Sequence, residues 1–195
     1  MEFDRYGKLN WKDYIIPFVP YVGVILLGIV LIFLCDEIFL GIGGIVLSVG
    51  LILQILRPYR EHFSVGDHLI LAREGKQKYE IPIPPNVILV LSKAARRDIC
   101  VHSCFLKDKY TVSILHSVSL EEVLEKIHES RGLRYTSTHI NDSFPFSLLY
   151  SFVYHEDAFA QILKQSEAIV LIPEFLVDRI DLSAFQCRVY IDKRG

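Results

Sequence analysis

"IFLCDEIFLGIGG", residues 32–44, sets two carboxylates, Asp36 and Glu37, between two apolar runs with no Lys or Arg beside them. The run before them, 15–34, carries no charged residue, and neither does 38–56 after them. Each is about twenty residues long and, at ~1.5 Å per residue, makes about 30 Å of helix, the thickness of a bilayer's hydrocarbon core. Only Cys35, Asp36 and Glu37 separate the runs. The expectation is a transmembrane helical hairpin with spans at about 15–34 and 38–56 and its carboxylates in the aqueous interface at the turn.

Working outward, the basic residues stand at the far ends: Arg5, Lys8 and Lys12 before the first run, Arg57 and Arg60 after the second. Lys and Arg near span ends favour the cytoplasmic side. That places both termini in the cytoplasm, the turn outside, and the protein as an integral, two-span component of the cell membrane. On the second run, Gly41, Gly44 and Ser48 recur at small-residue spacing that lets two helix backbones approach closely. They are the expected helix-packing residues. The overall hydrophobic content, 51%, is high for a purely soluble domain, and the excess lies in these two runs.

The chain therefore divides into 1–56, an N-terminal segment with the hairpin, and 57–195, a cytoplasmic domain. The second part holds eighteen Lys plus Arg and eighteen Asp plus Glu, a balance that leaves no nucleic-acid footprint. "DHLILAR" leads through Glu74-Gly75 into "QKYEIPI" as a hairpin, and "NVILVLS" reads as a buried strand. "DICVHSCFL" and "YTVSILH", around Lys107-Asp108-Lys109, read as a further hairpin. Ser119 and Glu122 form a capping box that opens a helix whose apolar stripe is Leu120, Val123, Leu124 and Ile127. "EDAFAQILKQ" offers a short helix with Phe159, Ile162 and Leu163 inward; "FSLLYSFVYH", "EAIVLIP" and "FQCRVYIDK" read as strands. The sum is an α+β domain: a mostly antiparallel sheet with one or two helices over it.

Motifs that carry chemistry are sparse. On a strand, Cys100, His102 and Cys104 of "CVHSC" share one face and present three soft ligands. No paired-cysteine spacing completes a zinc set, so the expected reading is a half-buried strand, with no metal and no cofactor. Lys93, Arg96 and Arg97 of "LSKAARRD" are a basic cluster able to touch anionic headgroups or a partner, at about 1 kcal/mol per basic residue near a membrane surface. His155, Glu156 and Asp157 are consecutive, so on a strand they alternate faces and make no ready acid–base pair. The glycines of "GIGGIVLSVG" have no Lys, Ser or Thr in phosphate-binding register. No catalytic residue is expected.

Three stretches, "LNWKDYI", the hairpin, and "AIVLIPEFLVDRIDLSAFQ", make the layout similar to the YcxB-like group of small bacterial membrane proteins. That resemblance implies an apolar hairpin joined to a cytoplasmic domain like a bacterial pleckstrin-homology barrel, and it implies no catalytic residues. The function expected is that of a non-enzymatic, membrane-anchored binding protein with the lipid bilayer and a protein as partners. One form is a bacterial immunity protein acting at the inner face of the membrane. The alternative is an accessory subunit of a transporter or envelope enzyme complex.

Overall fold

The computed structural model describes residues 1–7, 11–34, 37–56, 61–94, 109–129, 136–183, 185 and 187–193. Strand β1 (Phe3–Asp4) comes first, then helices α1 (Trp11–Leu34) and α2 (Ile38–Leu56), which pack on each other as a hairpin. At the turn, the Glu37 amide donates to the Leu31 carbonyl, and the Glu37 carbonyl accepts from Gly41. The second bond has the i→i−4 spacing that starts α2.

Strands β2 (Glu61–Val65), β3 (Leu69–Glu74) and β4 (Gln77–Pro82) follow and complete a four-stranded antiparallel sheet in the order β1-β2-β3-β4. Phe3 lies opposite Phe63, so the strands on either side of the hairpin are paired neighbours. The hairpin thus enters and leaves from one side of a single sheet. The expected β3–β4 turn is present: Glu74 pairs with Gln77, and Gly75 takes φ +60°, a left-handed conformation that glycine adopts without steric cost.

The second sheet is built from β5 (Asn86–Lys93), β6 (Tyr110–Leu115), β7 (Leu148–Val153), β8 (Glu167–Pro173) and β9 (Arg188–Asp192), in the order β7-β6-β5-β8-β9. Its helices are α3 (Leu120–Glu129), α4 (Ser137–Ser143), α5 (Glu156–Gln165) and α6 (Glu174–Val177). Both faces are covered. On one, Ile88, Val90, Leu115 and Leu171 pack with Val123 of α3, with Ile140 of α4 and with Phe144 just after it. On the other, Leu89, Leu91, Ile114, Phe152 and Val170 pack with Phe159 and Ile162 of α5 and with Phe3, Phe63 and Ile70 of the first sheet. The two sheets therefore share one core.

Two corrections to the expected fold follow. Among the described residues there are two sheets and four helices besides the hairpin, where one mostly antiparallel sheet with one or two helices was expected, and the second sheet is mixed: β5 pairs with β8, and β8 with β9, in parallel. The physical reason is the crossover through α5, which brings β8 back beside β5 in the same direction. β6 pairs antiparallel with β5, the "NVILVLS" strand, and with β7. The stretch "DICVHSCFL" lies wholly outside the described residues.

The second correction concerns the membrane. Among the described residues, no helix is long and apolar enough to cross a membrane. The expected transmembrane hairpin, and with it the integral two-span location and the cytoplasmic placement of the termini, is corrected on that finding.

Candidate binding surface

The seam of the hairpin is made by small residues. A β-carbon on Gly28 would come within 2.8 Å of the Gly41 carbonyl oxygen, and one on Gly41 within 2.6 Å of the Gly28 carbonyl oxygen and against Ile32. Gly44 faces Val24, and Ser48 is buried. Gly41, Gly44 and Ser48 thus lie along the α1–α2 contact, at i, i+3 and i+7 on one helical face. With the small residues turned inward, the large ones turn out: Leu26, Leu27 and Phe33 on α1 and Phe39, Val46 and Leu47 on α2 are all exposed. Phe33 and Phe39, beside the turn, are 78% and 94% exposed. An apolar surface of this kind is what marks an interaction site on a folded chain.

The root of the hairpin is tied into both sheets. The Arg5 guanidinium donates from Nε to the Ser151 carbonyl (2.9 Å), pairs through Nη1 with Glu61, and lies 4.7 Å from the centre of the Tyr150 ring. The Val153 amide donates to the Arg5 carbonyl (2.7 Å), and Lys109 Nζ to the Tyr6 carbonyl (3.1 Å). Burial of the Tyr150 ring drives its phenol well above the ordinary tyrosine range, with the Arg5 charge opposing and the Glu61 charge adding to the shift. Asp4 joins the same knot: its carboxylate meets His62 Nδ1 at 2.8 Å, and its carbonyl accepts from His155 Nε2 at 2.9 Å. His155 is therefore a structural tie, and it occupies the N-cap position of α5 without a side-chain cap bond, while Asp157 sits in the helix's first turn.

At the opposite end of β5 and β8 an open groove of about 830 Å³ is floored by Val87, Ile88, Leu115 and Ile169 and rimmed by Asn86, His116, Ser117, Glu167 and Arg188. His116 Nδ1 and Ser117 Oγ are 2.9 Å apart, a contact between adjacent residues, with Ser117 at φ +54°. Cys187 also borders the groove, and burial raises its thiol pKa, which lowers the thiolate fraction. The volume suits a small ligand. A nucleophile with an oriented base is not assembled among the described groups. The groove had no sequence signal, because its lining comes from strand ends far apart in the chain.

Of the remaining expected site residues, Lys93 ends β5, half-buried, while Arg96 and Arg97 lie outside the described residues. Cys100, His102 and Cys104 lie outside them as well. Among the described residues, no group of three or more His, Cys, Asp or Glu could hold a metal ion. Compared with known proteins, the chain matches no family model, no curated protein and no solved structure. The likeness to the YcxB-like group thus rests on the quoted sequence stretches alone.

Proposed function

We propose that this chain is a non-enzymatic binding protein that attaches to lipid through the α1–α2 hairpin and presents its two-sheet body to a protein partner. The observation that supports it is the outward turn of large apolar side chains along both helices, with the small ones spent on the seam. Each such side chain left in water forgoes about 1.5–3 kcal/mol of burial, and hydrocarbon accepts them without any matching geometry. The reading asks for burial of the hairpin in lipid, not for a crossing of the bilayer. The knot at Arg5 holds the hairpin's root against the body, so attachment of one fixes the other in place. Neutralising a toxin that acts at a membrane, as a bacterial immunity protein does, is a role that needs this arrangement and no catalytic group.

The test is flotation. The detergent-solubilised full chain is diluted into phosphatidylcholine–phosphatidylglycerol vesicles and spun through a density gradient. It should float with the vesicles and stay through a high-salt wash, because the attachment is apolar rather than ionic. The Leu26→Asp and Leu47→Asp double variant should float far less. A wild-type chain that stays in the dense fractions as a monodisperse protein would refute lipid attachment.

A further inference from the structure

The groove at the Leu115 end of the second sheet has one bare stretch of floor. Leu115, Ile88, Ile169 and Arg188 are successive ladder partners across β6, β5, β8 and β9, so their side chains share one face. Cover fades along that row. Leu115 is fully buried and Ile88 is buried beside it, but Ile169 is half-buried and Arg188 is exposed. Ile169 is thus an apolar side chain in the middle of a sheet that opens onto a cavity of about 830 Å³. Val118 and Leu120, both half-buried, line the side of the cavity where α3 begins. Glu167 stands two residues before Ile169, so it points to the same face, and it also lines the groove. A carboxylate and a guanidinium therefore flank Ile169, one along its own strand and one across the ladder. Neither has an ion pair among the described residues.

We infer that this groove binds a free α-amino acid with a branched or aromatic apolar side chain. The ligand's ammonium pairs with Glu167, its carboxylate takes the forked guanidinium of Arg188, and its side chain lies on Ile169 against Val118 and Leu120. An apolar lining with a few placed polar groups is how small-molecule sites combine affinity with orientation. The charge pattern selects among ligand classes. A simple carboxylate, such as a fatty acid, would pair with Arg188 and set its anion beside Glu167. An amine would pair with Glu167 and meet Arg188 as a like charge. Each of these leaves one charge repelled or unmatched, which counts against it. A zwitterion meets both. In an α-amino acid the two charged groups and the side chain also branch from one carbon, as Glu167 and Arg188 both border the one side chain of Ile169. The inference goes beyond the lipid reading and does not depend on it, because no hairpin residue lines the groove.

The experiment follows the isoleucine methyl signals of the full chain in detergent by NMR while L-leucine is added. The Ile169 signal, assigned by its loss in Ile169→Val, should shift saturably, and that of Ile70 in the first sheet should stay in place. Isoamylamine is leucine without the carboxylate, and isocaproate is leucine without the ammonium. Each should need about tenfold or more the concentration for the same shift, since a hydrogen bond between charged groups is lost. Arg188→Gln and Glu167→Gln should each weaken leucine to a similar extent, with circular dichroism unchanged because both residues are exposed. The absence of a saturable Ile169 shift at the highest soluble leucine concentration overturns the inference. So does an analogue that matches leucine, or a Gln variant that binds it as the wild type does. Tighter binding of leucyl-leucine than of leucine would also overturn it and assign the groove to peptides.

Discussion

Gly28 and Gly41 face each other across the hairpin with no room for a side chain on either: a β-carbon at one would lie 2.8 Å, and at the other 2.6 Å, from the opposing carbonyl oxygen. The obstacle on both sides is backbone, which cannot swing away as a side chain end can. Gly28→Val or Gly41→Val should therefore force the helices apart and destabilise the hairpin by about 1–3 kcal/mol. Gly43, whose added β-carbon meets nothing within 4 Å, should accept Ala, with a gain of up to about 1 kcal/mol from helix propensity. Denaturant titration of the three variants by circular dichroism checks the contrast, and equal responses would place the seam elsewhere.

The Arg5–Glu61 pair is half-shielded, with side-chain exposures of 31% and 14%. Arg5→Ala removes the charge that Glu61 faces, the bond to Ser151 and the contact with Tyr150. Exposed pairs contribute ~0–1 kcal/mol and loss of one partner of a buried pair costs ~3–5, so a loss of about 2–3 kcal/mol is expected. Arg5→Lys should recover only part of it, because an ammonium cannot make the forked contact. Thermal unfolding of both variants measures it.

Tyr150 gives a pH prediction of definite sign. Burial, the largest cause, raises its folded pKa above the ordinary value. An unfolded tyrosine loses its proton near pH ~10, while the folded one keeps it, so the folded state holds more protons at higher pH. Stability is complete below pH ~10 and falls as pH rises beyond it, by up to about 1.4 kcal/mol per pH unit. Tyr150→Phe should flatten that alkaline limb. An unchanged limb in the Phe variant would assign the loss to another group.

Phe63 lies at the junction of the sheets, with ring centres 5.4 Å from Phe3, 4.7 Å from Phe152 and 5.6 Å from Tyr150. It is 1% exposed. Phe63→Ala should cost about 3–5 kcal/mol through lost burial and the cavity left behind. Because the ring touches both sheets, hydrogen exchange should quicken in β2 and in β7 together. Faster exchange in β2 alone would mean that the sheets are stabilised separately.

Helix α3 offers a paired test. The Ser119 hydroxyl accepts from the Glu122 amide at 3.1 Å, and Val123 is fully buried. Ser119→Ala should cost about 1 kcal/mol. Leu124→Asp should cost more, since it turns a charge toward the cluster under α3, while Glu125→Lys should be tolerated. Resistance to limited proteolysis should rank the variants in that order, Glu125→Lys surviving longest.

Local signals determined the local structure. The Ser119 hydroxyl's bond to the Glu122 amide, the stripe of α3, the inward face of α5 and the Glu74-Gly75 turn each depend on residues within one or two turns of chain, and each stands as the spacing implies. So does the seam of small residues on α2, since a helix's period fixes which residues share a face. What the sequence left open is what depends on distant partners. Phe3–Asp4 is too short to signal a strand, and only its pairing with β2, across the whole hairpin, makes it one. The unbroken apolar runs of β5 and β8 are the mark of strands covered on both faces, yet nothing local states that they lie side by side in parallel. The groove and the Arg5 knot belong to the same class. They exist where segments far apart in sequence meet, so tertiary packing alone decided them.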